Sequence, residues 1–187
     1  MWSRTPSSAV LPRAVTRLAL VALAGLVALA GCSDPRRSAT VSLPGAGPGL
    51  PATVVHVVDG DTVDLRVGGE VERARLLGID TPETVKPNAP VDCFGPEASA
   101  QTKALLADGT AVLVQRDQEA RDRYGRLLVY LWRRADRLFI NGSLVSDGFA
   151  RTLSIAPNTT HRSDLGARMA AARARGLGLW ASCPPTG

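Results

Sequence analysis

The sequence predicts an α+β domain: a small closed barrel of five short β-strands with helices packed against it. Three observations support this prediction. Short runs rich in valine, threonine and leucine alternate with turn residues, which is typical of strands in a compact sheet. One segment between those runs, and two after them, carry helix signals. The part of the 187-residue chain that can form a fold is about 135 residues long, which suits one domain.

The first three strands form a predicted meander. Ala52 to Val58 and Thr62 to Val67 are β-rich, and the turn Asp59-Gly60-Asp61 separates them. Gly68-Gly69 is a two-residue hairpin signal that leads into a third strand, Val71 to Leu77.

A helix is predicted to begin at Gly95-Pro96, because proline is tolerated in the first turn and Glu97 complements the helix dipole there. It should end near Asp108-Gly109. The remaining elements are two strands followed by two helices: Ala111 to Gln115, Leu127 to Trp132, Asn141 to Gly148, and Thr160 to the residue before Gly176.

The N-terminal region is predicted to lie outside the fold. Leu18 to Ala30 is an apolar run behind three arginines, too short for a confident membrane span and flanked like a signal peptide. It ends in Leu29-Ala30-Gly31-Cys32, which resembles the lipobox of bacterial lipoproteins, in which the cysteine becomes the lipidated first residue. An ordinary secretory signal with a chance cysteine is the alternative.

We therefore expect a signal peptide over 1–31, a flexible tether over 32–50 that is rich in Ser, Pro, Gly and Ala, and one domain over 51–183. The protein should be extracytoplasmic, anchored to the membrane by a lipid on Cys32, or secreted if the lipobox is not used. Loss of the three signal arginines lowers the formal charge from +5 to +2, so the charge that attracts nucleic acid must be local.

The two remaining cysteines bear on stability. Once Cys32 is lipidated, Cys93 and Cys183 form an even pair in an oxidising compartment, which predicts a disulfide. Two free thiols or an intermolecular bridge are the alternatives.

The residues most informative about function lie in two neighbouring segments, VDGDTVDL (Val58 to Leu65) and RLLGIDTPE (Arg75 to Glu83). Together they place four carboxylates near a single arginine. Hard divalent cations prefer oxygen ligands, and a guanidinium stabilises the charge that develops on a phosphodiester. The pattern indicates metal-assisted phosphoryl chemistry.

A third segment, RDRYGR (Arg121 to Arg126), adds arginines beside a tyrosine. With GPEAS (Gly95 to Ser99), these motifs occur in an order and at spacings that resemble the staphylococcal-type thermonucleases, the Ca²⁺-dependent micrococcal nucleases. The resemblance covers roughly residues 51–180. It implies that the barrel is an OB-fold, an architecture that often binds oligonucleotides.

The resemblance also implies a role for each matching residue. Asp61, Asp80 and the backbone carbonyl of Thr81 would bind Ca²⁺. Glu83 would be the general base, or would orient the attacking water. The remaining matches are Arg75 and Arg126 as catalytic arginines, and Arg123 and Tyr124 as substrate-binding residues.

The expected function is therefore an exported, Ca²⁺-dependent endonuclease that hydrolyses DNA, RNA or both, and the family leaves 3′-phosphorylated products. The chain should act as a monomer without an obligate protein partner. The alternative is a lipid-anchored OB-fold module that binds nucleic acid or protein without catalysis. One departure bears on substrate affinity: before Pro157 the family often carries tyrosines that pack on the base, and Arg151 to Ala156 contains no aromatic residue.

Overall fold

Five strands close into a β-barrel, as the sequence predicts, in a computed structural model that describes residues 41–43, 46–84 and 91–183. The predicted signal peptide, the lipidation site Cys32 and the first part of the predicted tether lie outside the described residues.

The described chain contains eight strands and four helices. The strands are β1 (Val41–Leu43), β2 (Ala46–Asp59), β3 (Thr62–Val67), β4 (Glu70–Leu76), β5 (Gly78–Asp80), β6 (Ala111–Gln115), β7 (Leu127–Arg133) and β8 (Arg151–Leu153). The helices are α1 (Gly95–Leu105), α2 (Ile140–Ser146), α3 (Arg162–Ala174) and α4 (Leu179–Ser182).

The barrel runs in the order β2-β3-β4-β7-β6, and pairing of β6 with β2 closes it. Four of its five interfaces are antiparallel, whereas β4 and β7 pair in parallel. Strands β5 and β8 form a separate two-stranded sheet. This arrangement matches the predicted OB-fold of α+β class.

One hydrophobic core fills the barrel and continues beneath the helices. Alternate residues of the barrel strands point inward, including Val63, Leu65, Leu76 and Val129, all essentially inaccessible to solvent. Helix α2 contributes three further core residues: Ile140, Leu144 and Val145. Burial of each such side chain stabilises the fold by roughly 1.5 to 3 kcal/mol.

The structure differs from the sequence prediction at both ends of the domain. Residues 41–43 and 46–50 belong to strands, whereas the predicted tether extends to residue 50. Backbone hydrogen bonds hold these strands. Such pairing does not require the regular spacing of apolar residues from which strands are predicted. A fourth helix follows the three that were predicted, and its four residues are too few to show periodicity.

Among the described residues, no helix combines the length and apolar character that a membrane crossing requires.

Candidate active site

The turn between β2 and β3 carries the first carboxylates of the site, and three threonines surround it. The Thr102 hydroxyl of α1 donates to the carbonyl of Gly60 (2.7 Å), and the Thr84 hydroxyl donates to Asp59 Oδ1 (2.7 Å). The Thr81 side chain lies so close that a Cβ at Gly60 would come within 2.6 Å of its Oγ1. Glycine is required here because the end of β5 packs directly on the turn.

Arg75 lies between two of the predicted metal ligands. Its Nη1 is 2.7 Å from Asp61 Oδ2, and its Nη2 is 3.0 Å from Asp80 Oδ1. Asp61 is almost completely buried, whereas half of the Asp80 side chain is exposed. One guanidinium therefore gathers two carboxylates that are 19 positions apart in the sequence, at a point that solvent reaches from the Asp80 side.

The buried carboxylate has a perturbed acidity. Burial raises the pKa of Asp61, and it does so despite the opposing effects of the Arg75 guanidinium and of the Thr81 N–H, which donates to Oδ2 at 3.0 Å. The negative charge of Asp80 adds to the increase. Because burial makes the ionised form of Asp61 unfavourable, a cation bound beside it would stabilise that form.

The parallel pairing of β4 with β7 brings the second arginine to the site. Ala74 pairs with Leu127 in this ladder. Arg75 follows Ala74 and Arg126 precedes Leu127, so both arginines adjoin the same residue pair. Asp122 orients Arg126: it accepts the Arg126 Nε–H at 2.7 Å and the backbone N–H at 3.0 Å. Among the described residues, the Arg126 side chain forms its ion pair with Asp122 through Nε.

Burial alone would raise the pKa of Asp122, but hydrogen bonds outweigh it. The Arg126 side chain and the backbone N–H groups of Arg126 and Tyr124 donate to the carboxylate, and its pKa is lowered. Asp122 therefore stays ionised and keeps Arg126 oriented at ordinary pH.

A cavity of about 610 Å³ opens beside the two arginines. Arg75, Arg123, Tyr124 and Arg126 all line it, so four of the predicted site residues meet at one cavity. Arg123 Nη2 donates to the Tyr124 hydroxyl at 2.6 Å, and the Arg123 and Arg126 guanidinium groups lie 4.7 and 5.5 Å from the Tyr124 ring centre. The exposed side chains of Leu153 and Ile155, from the segment that lacks tyrosine, also line the cavity.

Thr81 and Glu83 follow Asp80 on the segment that leaves β5. Thr81 is buried, and its N–H contacts Asp61 as described above. Glu83 lies two residues further on and is only partly buried. Both of its backbone polar groups bond to Asp92: the Glu83 N–H donates to Oδ2 (3.2 Å), and the Asp92 N–H donates to the Glu83 carbonyl (3.0 Å).

Cys93 and Cys183 form a disulfide with 5.9 Å between their Cα atoms, within the usual range for such a bond. The bond joins the residue before Phe94 and helix α1 to the residue after α4.

Sequence reasoning missed the residues that support the site. Asp92 holds the Glu83 backbone, and Asp122 holds Arg126. Neither aspartate was predicted as a site residue from the sequence. A signal for Asp122 does exist, since an aspartate two residues before a turn residue often accepts local backbone N–H groups, as it does from Tyr124 (2.9 Å). Asp59 accepts the Gly60 N–H (2.8 Å) and the Thr84 hydroxyl (2.7 Å).

Within the described ranges, no group of three or more His, Cys, Asp or Glu side chains is arranged to hold a metal ion. The carboxylates that converge are the pair Asp61 and Asp80. All the candidate donors are oxygens, a set that suits a hard cation and not a thiolate- or imidazole-binding metal.

Comparison with known proteins agrees with this geometry. The model of the family described as staphylococcal nuclease homologue matches residues 73–182, more than half of the chain. A thermonuclease from Staphylococcus intermedius is 41% identical over 127 residues, which are 68% of this chain and 74% of that protein.

Two further relatives carry similar names. A thermonuclease from Staphylococcus hyicus is 42% identical over 105 residues (56% of this chain, 60% of that protein). The SPbeta prophage-derived endonuclease YokF of Bacillus subtilis (strain 168) is 36% identical over 129 residues, which are 68% of this chain but only 43% of YokF.

The match of the family model and the identity to the thermonuclease lead to the same conclusion. The chain belongs to the staphylococcal nuclease homologue family and is a nuclease, a phosphodiester hydrolase.

Proposed function

We propose that this nuclease hydrolyses DNA, RNA or both in a Ca²⁺-dependent reaction at the cluster formed by Asp61, Arg75, Asp80, Glu83 and Arg126. One observation carries the proposal. Arg75 gathers two carboxylates at the edge of a cavity that Arg126 also lines. Negative groups for a cation and positive groups for a phosphate thus adjoin each other.

The residues present fit calcium. Asp61 and Asp80 supply carboxylate oxygens, and the Thr81 carbonyl is the third protein ligand that we propose. Ca²⁺ takes six to eight oxygen ligands in flexible geometry, so water and substrate oxygens would complete the set. The ion, when bound, would supply Lewis-acid stabilisation of a phosphoryl oxygen.

The two arginines act on the phosphate. Arg126 already has its Nε held by Asp122, so its terminal N–H groups can donate in a fixed orientation to the oxygens that gain charge in the transition state. Arg75 has both terminal nitrogens on carboxylates. A guanidinium carries five N–H groups, so those not used in these two pairs can donate to a phosphate.

Glu83 is the proposed general base. It would accept a proton from the attacking water while the oxygen of that water bonds to phosphorus. If the product carries a 3′-phosphate, the bond that breaks joins phosphorus to the 5′-oxygen, and that oxygen must be protonated as it leaves.

Arg123 and Tyr124 are proposed to bind the substrate strand next to the cleaved bond. Their guanidinium and hydroxyl groups line the cavity and are hydrogen-bond donors suited to phosphate. Leu153 and Ile155 would meet the base with aliphatic surface. Such contacts discriminate weakly between bases, because they lack both an aromatic face and a polar group that reads a base edge.

We also propose that the mature protein is exported and anchored by a lipid on Cys32. The lipobox-like segment before Cys32 supports this location. The disulfide between Cys93 and Cys183 supports export, because such bonds persist in oxidising compartments.

Removal of metal tests the proposal. We expect the purified chain to cut single-stranded DNA in the presence of Ca²⁺, and to lose that activity in excess chelator and regain it when Ca²⁺ is restored. Without a cation, the paired carboxylates would repel the phosphate instead of holding it. An RNA substrate of the same sequence in parallel reactions determines which nucleic acid is preferred. Undiminished cleavage in chelator would point to a metal-free reaction.

A further inference from the structure

Asp92 bonds both backbone polar groups of Glu83. The Asp92 carboxylate accepts the Glu83 N–H at 3.2 Å, and the Asp92 N–H donates to the Glu83 carbonyl at 3.0 Å. These two bonds link positions nine residues apart. They fix the point from which the Glu83 side chain starts, because a residue bonded through both its N–H and its C=O has little freedom to rotate.

Asp92 is itself attached to a rigid part of the fold. Its carbonyl accepts the N–H of Gly95, the first residue of α1, at 3.0 Å. Its neighbour Cys93 is covalently bonded to Cys183. Phe94 then packs on Phe149, with 5.4 Å between the ring centres.

The start of α1 also packs directly against the Glu83 backbone. A Cβ at Gly95 would lie 2.8 Å from the Glu83 carbonyl oxygen and 3.3 Å from that of Pro82. On the other side, Asp59 binds the Thr84 hydroxyl (2.7 Å). Glu83 therefore lies between the β2–β3 turn and the segment that contains the disulfide.

We propose that Asp92 is a positioning residue for catalysis. It holds the Glu83 backbone so that the carboxylate faces the reacting water, and the Cys93–Cys183 bond keeps Asp92 in place. This inference rests on the proposed role of Glu83. It predicts that Asp92 affects turnover through Glu83 and has little effect on substrate binding.

The test compares kcat and KM of four proteins on one single-stranded DNA with saturating Ca²⁺: wild type, Asp92→Ala, Glu83→Gln and the double variant. Asp92→Ala should lower kcat about 10- to 100-fold, the scale of a small misplacement of a catalytic group, with KM changed less than about twofold. In the Glu83→Gln background, Asp92→Ala should lower kcat little further, because the group that it positions has already lost its function.

Two other variants separate positioning from folding. Asp92→Asn keeps an oxygen that can accept the Glu83 N–H, so it should recover most of the kcat that Asp92→Ala loses. Asp164→Ala removes an exposed aspartate of α3 that pairs with Arg168, and it should leave kcat unchanged. Should Asp92→Ala fail to fold, Cys93→Ser gives the same readout: kcat falls in the wild-type background and not in Glu83→Gln.

The outcomes are distinguishable. Wild-type kcat in folded Asp92→Ala, with Glu83→Gln impaired, would overturn the positioning role alone. Equal loss from Asp92→Ala in both backgrounds would also overturn it, since that pattern indicates general damage. Wild-type kcat in Glu83→Gln would instead refute the proposed role of Glu83, and the positioning role with it.

Discussion

Replacement of Arg126 by alanine is expected to lower kcat by about 10² to 10³, the usual cost of losing a preorganised donor to transition-state charge. KM should change much less, because the interaction grows as charge develops on the phosphate. Arg126→Lys should recover little of the lost kcat. Arginine bonds Asp122 through Nε and keeps two terminal nitrogens for the phosphate, whereas lysine has one ammonium nitrogen for both. Steady-state kinetics on a short single-stranded DNA would measure these effects.

Arg123→Ala is the matched control for Arg126. Arg123 lies on the same loop and lines the same cavity, but its guanidinium contacts the Tyr124 hydroxyl, and among the described residues no carboxylate pairs with it. Its loss should therefore raise KM more than it lowers kcat. A folded Arg126→Ala protein with near-wild-type kcat would place Arg126 among the residues that only contact solvent or the substrate backbone.

Arg75 is expected to matter for turnover and for stability. Arg75→Ala should lower kcat by a factor similar to that for Arg126. It should also destabilise the fold, because Asp61 would remain buried without its cation. Losing one partner of a fully buried pair costs about 3 to 5 kcal/mol, and the exposure of Asp80 makes the cost smaller here.

Arg75→Lys distinguishes the two effects. A lysine can still pair with Asp61, so it should restore much of the thermal stability. It cannot bridge two carboxylates and a phosphate as a guanidinium does, so kcat should stay low. Thermal unfolding and kinetics on the same samples would show both, and near-wild-type kcat in Arg75→Lys would contradict the proposed role.

The local parts of the fold could be predicted from sequence because each has a local physical cause. The Asp59-Gly60-Asp61 turn and the Gly68-Gly69 hairpin follow from turn chemistry, and the start of α1 at Gly95 follows from the proline and the acidic residue in its first turn. The strands at 46–50 could not be predicted in this way, since backbone pairing orders glycine- and proline-containing segments without any side-chain pattern.

The site itself was only partly predictable. Motifs can list Arg75 and Arg126, but what brings them together is the parallel pairing of β4 with β7, a contact between strands some fifty positions apart. The bridging of Asp61 and Asp80 by Arg75 is likewise a tertiary contact. Asp92 acts on the Glu83 backbone, which carries no sequence signature of its own.

The central claim is that Asp61 and Asp80 hold the divalent cation, and calorimetric titration with Ca²⁺ tests it most directly. Wild type should bind one Ca²⁺ per chain. Asp61→Asn and Asp80→Asn should each weaken binding at least about tenfold, because even loss of an outer-shell partner of a metal site costs 10- to 100-fold. Asp164→Asn should leave the affinity unchanged. Undiminished Ca²⁺ binding by the folded Asp61→Asn/Asp80→Asn double variant would contradict the claim.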